Sequence, residues 1–127
     1  MELAGVIYTH YSFTIYGHAR IPVTSWLREN ATESLAHAHE AGEHIMRLHR
    51  RPALGIATLP TTRHNTIDDI ITETVQRDEA GVQLYRELLD LVKDKSVVLE
   101  EYATRMVEAE AVHIREMELM LMKRAPE

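Results

Sequence analysis

Cysteine is absent from the 127 residues. That excludes disulfide staples, thiolate metal sites and cysteine nucleophiles. Glycine and proline are scarce, five and four, so few positions interrupt the chain. No apolar run reaches the roughly 18 residues that a membrane span needs. There is no basic start followed by an apolar stretch and a small-residue cleavage site, as a signal peptide would show. Basic charge is in deficit: 14 Lys plus Arg stand against 20 Asp plus Glu, a formal charge of −6, and neither end carries a basic tail. A general nucleic-acid binder is therefore not expected. A cytoplasmic location with no membrane partner is. What remains is 45% hydrophobic residues, arranged with a period of about 3.6 and not 2. The chain should be all-α, and residues 1–127 one domain with one core. Eight His are the compositional hint of metal.

The periodicity predicts four helices. The first covers residues 2–17, with Leu3, Val6, Phe13 and Tyr16 sharing a face with Glu2. Glu2 follows the initiator directly and leaves no N-cap, so either this helix is unusually short or the chain was shortened before it. Gly17 to Pro22 breaks the pattern, and Pro22 suits a turn or a first helical position. The second helix runs from about Val23 to Arg50 along a seam of Val23, Leu27, Ala31, Ser34, Ala38, Ala41, Ile45 and Leu48. Its small residues would allow close helix approach. Residues 51–65 form a break long for a compact domain but long enough to cross from one end of a bundle to the other. The third helix runs from about Thr66, as N-cap, to Lys93. Its face is Ile67, Ile70, Ile71, Thr74, Asp78, Tyr85, Leu88, Leu89 and Val92. A short turn to Ser96 implies an antiparallel fourth helix reaching Lys123. Leu99, Tyr102, Met106, Val107, Ile114, Met117 and Leu121 mark its apolar side. Two helix pairs joined by one long crossover make a ferritin-like four-helix bundle.

Polar residues interrupt these apolar faces. Glu110 and His113 lie one turn apart near the middle of the fourth helix's face. Burying both without a partner would be costly; a metal shared with other helices would satisfy them. Di-iron carboxylate bundles take a Glu from each of two helices and Glu-x-x-His from each of the other two. Glu110-x-x-His113 fits as it stands. The second helix offers His37 with Glu33 four residues before it, one residue too many, while Ser34 is better centred on the seam. The third offers Asp78 at mid-face, or Glu79 about 100° away. The first offers Glu2. Among the other imidazoles, His39, His44 and His49 fall off the seam and read as surface residues. His10, His18 and His64 lie near turns or on the outer face. Tyr8, Tyr11, Tyr16, Tyr85 and Tyr102 read as core or core-edge aromatics, one or more of them near enough to a metal for electron transfer.

At these residues the chain resembles bacterioferritin-type members of the ferritin-like superfamily. The similarity runs from His37-Ala38 through Glu43, Ile45 and Leu48 to Pro52-Ala53-Leu54, and includes Glu110-x-x-His113 and the opening Glu2-Leu3. It implies a di-iron centre, with Mn or Zn as substitutes, that oxidises Fe(II) with O2 or peroxide and feeds a mineral core in a hollow shell. It implies Glu2, Glu33, His37, Asp78, Glu110 and His113 as ligands, with Glu33 and Glu110 bridging the ions as the catalytic carboxylates. Asp78 stands where the family has Glu, and the Glu2-to-Tyr8 interval is one residue shorter than the family's. The chain ends soon after helix four, where bacterioferritins have a short fifth helix. Leu35 occupies the position of their haem-ligating Met, so no haem is expected. Met and Leu crowd Met117–Met122 all round, which suggests a second buried surface and a homo-oligomer, at least a two-fold dimer and at most a larger shell. Two other readings compete. One is a ferritin-like bundle without redox turnover, acting as a binding or assembly subunit. The other, ranked last, is a starvation-type mini-ferritin with His10, His39 and Glu43 at an intersubunit site.

Overall fold

The computed structural model describes residues 2–59, 63–64 and 66–124, with side chains from Ala4 onward. Among the described residues there are four helices and no strand: α1 (Glu2–Thr14), α2 (Arg20–Arg47), α3 (Ile67–Val92) and α4 (Val97–Leu121). They pack as two hairpins, α1 on α2 and α3 on α4, in compact units Met1–Thr66 and Ile67–Glu127. No helix among the described residues is long and apolar enough to cross a membrane.

In the first hairpin, α1 stops at Thr14, short of the expected residue 17. Gly17 takes φ 84°, a left-handed conformation that glycine adopts without steric cost, and its carbonyl accepts from the Arg20 N–H at 3.1 Å. α2 then begins before Pro22, which is its third residue. A helix leaves its first four N–H groups without helical partners, so proline costs no bond there. The buried face of α1 corrects the sequence reading. Ile7, Tyr8, Tyr11 and Ser12, with Ile15 just past its end, are buried, whereas Val6 and Phe13, and Tyr16 beyond the end, are exposed. This helix is apolar nearly all round, so periodicity alone assigns no unique phase. Polar contacts with α2 select one. The fully buried Ser12 hydroxyl donates to the Thr9 carbonyl at 2.6 Å and accepts from Arg28 Nε at 3.2 Å. The Arg28 guanidinium then lies 5.5 Å from the Phe13 ring centre. The small residues of α2 do permit close approach: a Cβ on Gly5 would stand 3.3 Å from the Ala31 carbonyl oxygen.

α2 ends at Arg47, ahead of the expected Arg50, in a Schellman motif. The Arg50 N–H donates to the Ile45 carbonyl and the His49 N–H to that of Met46, at 3.2 and 3.0 Å. His49 takes φ 59°, the left-handed position usually given to glycine. Leu48, read as the last seam residue, is exposed because the helix has ended before it.

The second hairpin follows its sequence pattern closely. Ile70, Ile71, Thr74, Val82 and Tyr85 of α3 and Tyr102, Ala103, Met106 and Met117 of α4 are buried. Tyr85 and Tyr102 pack edge-to-face with ring centres 6.1 Å apart, and Met106, Leu88 and Val107 pack with them. Each fully buried aliphatic or aromatic side chain here contributes about 1.5–3 kcal/mol. Ser96 caps α4, its hydroxyl accepting from the Leu99 N–H at 3.2 Å. Asp68 and Asp69 lie in the first turn of α3, where carboxylates oppose the positive helix end. The Lys123 ammonium pairs with Asp68 and ties the far end of α4 to that turn.

Candidate metal centre

The second hairpin brings two expected ligands together. Asp78 of α3 is buried at 9% exposure, and its Oδ2 lies 3.3 Å from Nε2 of His113 on α4. Helical spacing explains the meeting. Asp78 follows Thr74 and precedes Tyr85 along one stripe of α3, and His113 sits one turn from Met117 and two from Met106 on α4. Apolar burial on both sides holds the pair between the helices. Glu110 is half-buried one turn before His113. Glu79, the alternative on α3, is exposed, so the geometry favours Asp78 over it.

The donor chemistry fits a hard or borderline cation. Carboxylate oxygen and imidazole nitrogen suit iron, manganese and zinc. Two donors on one ion with bonds of about 2.1 Å and a near-tetrahedral angle stand about 3.4 Å apart, close to the Asp78–His113 separation of 3.3 Å. The same two atoms also form an acid–imidazole pair.

In the first hairpin, His37 is half-buried and its Nε2 lies 3.6 Å from Oε1 of Glu33. The extra residue in Glu-x-x-x-His does not prevent contact, because i and i+4 share a face. Glu33 nonetheless stays 56% exposed at its side chain, while Ser34 is half-buried in the place the motif would give to Glu. Glu2 opens α1, but its side chain lies outside the described residues. The face that the sequence pattern centres on Glu2 is not the buried one: Val6, Phe13 and Tyr16 are exposed. His10, His39 and Glu43 of the mini-ferritin reading are each exposed. Among the described residues no group of three or more His, Cys, Asp or Glu converges on one point.

Sequence reasoning missed a further pair. His44, read as a surface residue, is 8% exposed, with Nε2 4.0 Å from Oε1 of Glu40. The signal was present: Glu40-x-x-x-His44 repeats Glu33-x-x-x-His37 seven residues on. His64, expected near a turn or on the outer face, is half-buried in the connection, with its ring 5.9 Å from that of Tyr11.

With this geometry in place, comparison with known proteins defines the class. The chain belongs to the ferritin family: the ferritin-like domain matches residues 3–125. Eighteen chains of solved structures match it. One is a ferritin-like, diiron-carboxylate protein from Bacillus anthracis str. Ames, with TM-score 0.84 and 18% identity over 95% of this chain and 90% of that one. Another is a dodecameric thioferritin, the bacterioferritin-related protein from Bacteroides fragilis, with TM-score 0.82 and 18% identity over 91% and 74%. At such identity the likeness carries the fold. Among the described residues it is all-α and ferritin-like, four helices with a long connection between α2 and α3. No functionally curated protein matches the chain.

Proposed function

We propose that this protein binds a pair of iron ions and oxidises Fe(II) as its substrate, with O2 or peroxide as electron acceptor. The observation that carries the reading is the buried Asp78 carboxylate set 3.3 Å from His113, one turn from Glu110, in a chain of the ferritin family. The proposed ligands are Glu2, Glu33, His37, Asp78, Glu110 and His113, with Glu33 and Glu110 bridging. Four carboxylates from this set offset the four positive charges of two Fe(II) ions, and the two imidazoles complete the donor set. Each iron gives up one electron; O2 takes the two with two protons and leaves as hydrogen peroxide, and hydrogen peroxide as acceptor takes two with two protons and leaves as two waters. The protein's own residues hold, orient and neutralise. Asp78 and His113 release their mutual contact to face a cation, and His113 must be neutral to do so.

Glu110→Ala tests the reading. The variant retains its helicity by circular dichroism and loses most Fe(II) oxidation, followed by the rise of the ferric absorbance. Full activity in this variant would refute the assigned site.

A second reading is a ferritin-like subunit that binds metal without redox turnover. The exposure of Glu33, with Ser34 at the inward register, favours it, because a bridging carboxylate on α2 must reach in from the edge. Fe(II) bound per chain without any oxidation in air would select this reading.

Assembly as a homo-oligomer accompanies either reading, at least a dimer and up to a closed shell in the cytoplasm. Support comes from the dodecameric relative and from apolar surface left open here. Leu54 is almost wholly exposed and Ile56 nearly so, beside a groove lined by Val6, Ala38, Gly42, Met46 and Pro52. Leu119, Met120 and Met122 at the end of α4 are exposed as well.

A further inference from the structure

The Glu40–His44 pair lies outside the ligand set proposed for iron. It stands two turns, about 10.5 Å along the axis, beyond Glu33 and His37. Helical register places all four residues in a stripe about 60° wide, on one shoulder of the face that buries Val23 and Leu27. The exposures follow that register. Within each pair the imidazole is the more buried partner: His37 and His44 side chains are 17% and 10% exposed, Glu33 and Glu40 56% and 33%. Each pair is a carboxylate at the water's edge leading to an imidazole set inward.

We propose that Glu40 and His44 form a separate site for a divalent first-row cation, Zn(II) being the probe of choice, with water completing the coordination. Three observations carry this. The donors suit the ion, since imidazole with carboxylate is a common zinc set. The separation lies close to what the ion needs: Nε2 and Oε1 are 4.0 Å apart, too far for a hydrogen bond between them. A tetrahedral ion sets two such donors about 3.4 Å apart, a closure of about 0.6 Å that the partly exposed Glu40 side chain can make. Finally, both ligands rise from one helix at i and i+4, so the backbone fixes their spacing before any ion arrives. Burial restricts the His44 ring, and the partly exposed Glu40 gives a hydrated ion its way in. The site does not depend on the iron reading.

The test is a Zn(II) titration by calorimetry on the full chain carrying His37→Ala and His113→Ala. These changes remove an imidazole from each of the other two acid–imidazole pairs. Zn(II) binding persists in this background at one ion per chain. Adding Glu40→Gln lowers the affinity at least about tenfold, and His44→Gln does the same. Because His44 is buried, circular dichroism accompanies both. Should His44→Gln unfold, Glu40→Gln at its partly exposed position carries the test alone. Absence of Zn(II) binding in the background overturns the proposal, and so does binding that Glu40→Gln leaves unchanged. Neither result bears on iron, whose proposed ligands are already disabled.

Discussion

Replacing Asp78 with Asn preserves side-chain size and removes the charge. The Asp78 carboxylate lies 3.3 Å from His113 Nε2, and the two side chains are 10% and 19% exposed. Hydrogen bonds to charged groups contribute about 1.5–3 kcal/mol, and the amide keeps an acceptor oxygen, so the loss falls near about 1.5 kcal/mol. For 127 residues the unfolding entropy is about 0.27 kcal/mol/K, so Tm falls by about 6 °C. The discriminating quantity is the response to metal. With Mn(II) as a stand-in that resists oxidation, a free concentration 100-fold above Kd stabilises the native state by about 2.7 kcal/mol per ion. That is about 10 °C in Tm. A hundredfold loss of affinity in Asp78→Asn shrinks the increment at the same Mn(II) concentration to about 0.4 kcal/mol, under 2 °C. Scanning calorimetry of both proteins, with and without Mn(II), reads both numbers. An equal Mn(II) increment in the two would show that Asp78 pairs with His113 for structural reasons and holds no metal.

Other consequences follow from the packing. Met106 is 1% exposed against Tyr85 and Tyr102, so Met106→Ala destabilises by about 2–5 kcal/mol in urea unfolding. A loss below 1 kcal/mol would mean that the site collapses around the deletion. Ser96→Ala removes the α4 cap and costs about 1 kcal/mol in the same assay. His49→Gly acts in the opposite sense. Relief of the left-handed backbone, about 1–2 kcal/mol, outweighs the added freedom of the unfolded chain, about 0.4–1 kcal/mol, and Tm rises.

The second hairpin was legible in the sequence because its apolar residues keep one phase. Ile70, Ile71, Thr74, Asp78 and Tyr85 recur on one side, and a polar Asp within that stripe announces a partner. The partner, His113, was legible for the same reason. α1 resisted because Val6, Ile7, Tyr8, Tyr11, Phe13, Ile15 and Tyr16 surround it. Hydrophobicity could not choose which to bury; the Ser12 hydroxyl, shared with Arg28, did. On α2 the small-residue seam was correct but too narrow. Reading inward residues from Ala31, Ser34, Ala38 and Ala41 alone left His44 outside, although that seam's shoulder takes in both His37 and His44. The helix ends were misplaced where backbone geometry decides them, as at His49, whose positive φ no residue preference announces.

The most direct test of the central claim is the iron content of the intact chain after anaerobic loading with Fe(II) and gel filtration, by elemental analysis against protein concentration. About two irons per chain are expected, the stoichiometry of a two-metal site, falling below one in Glu110→Ala. Iron that does not remain bound, or an equal amount retained by the variant, would contradict it.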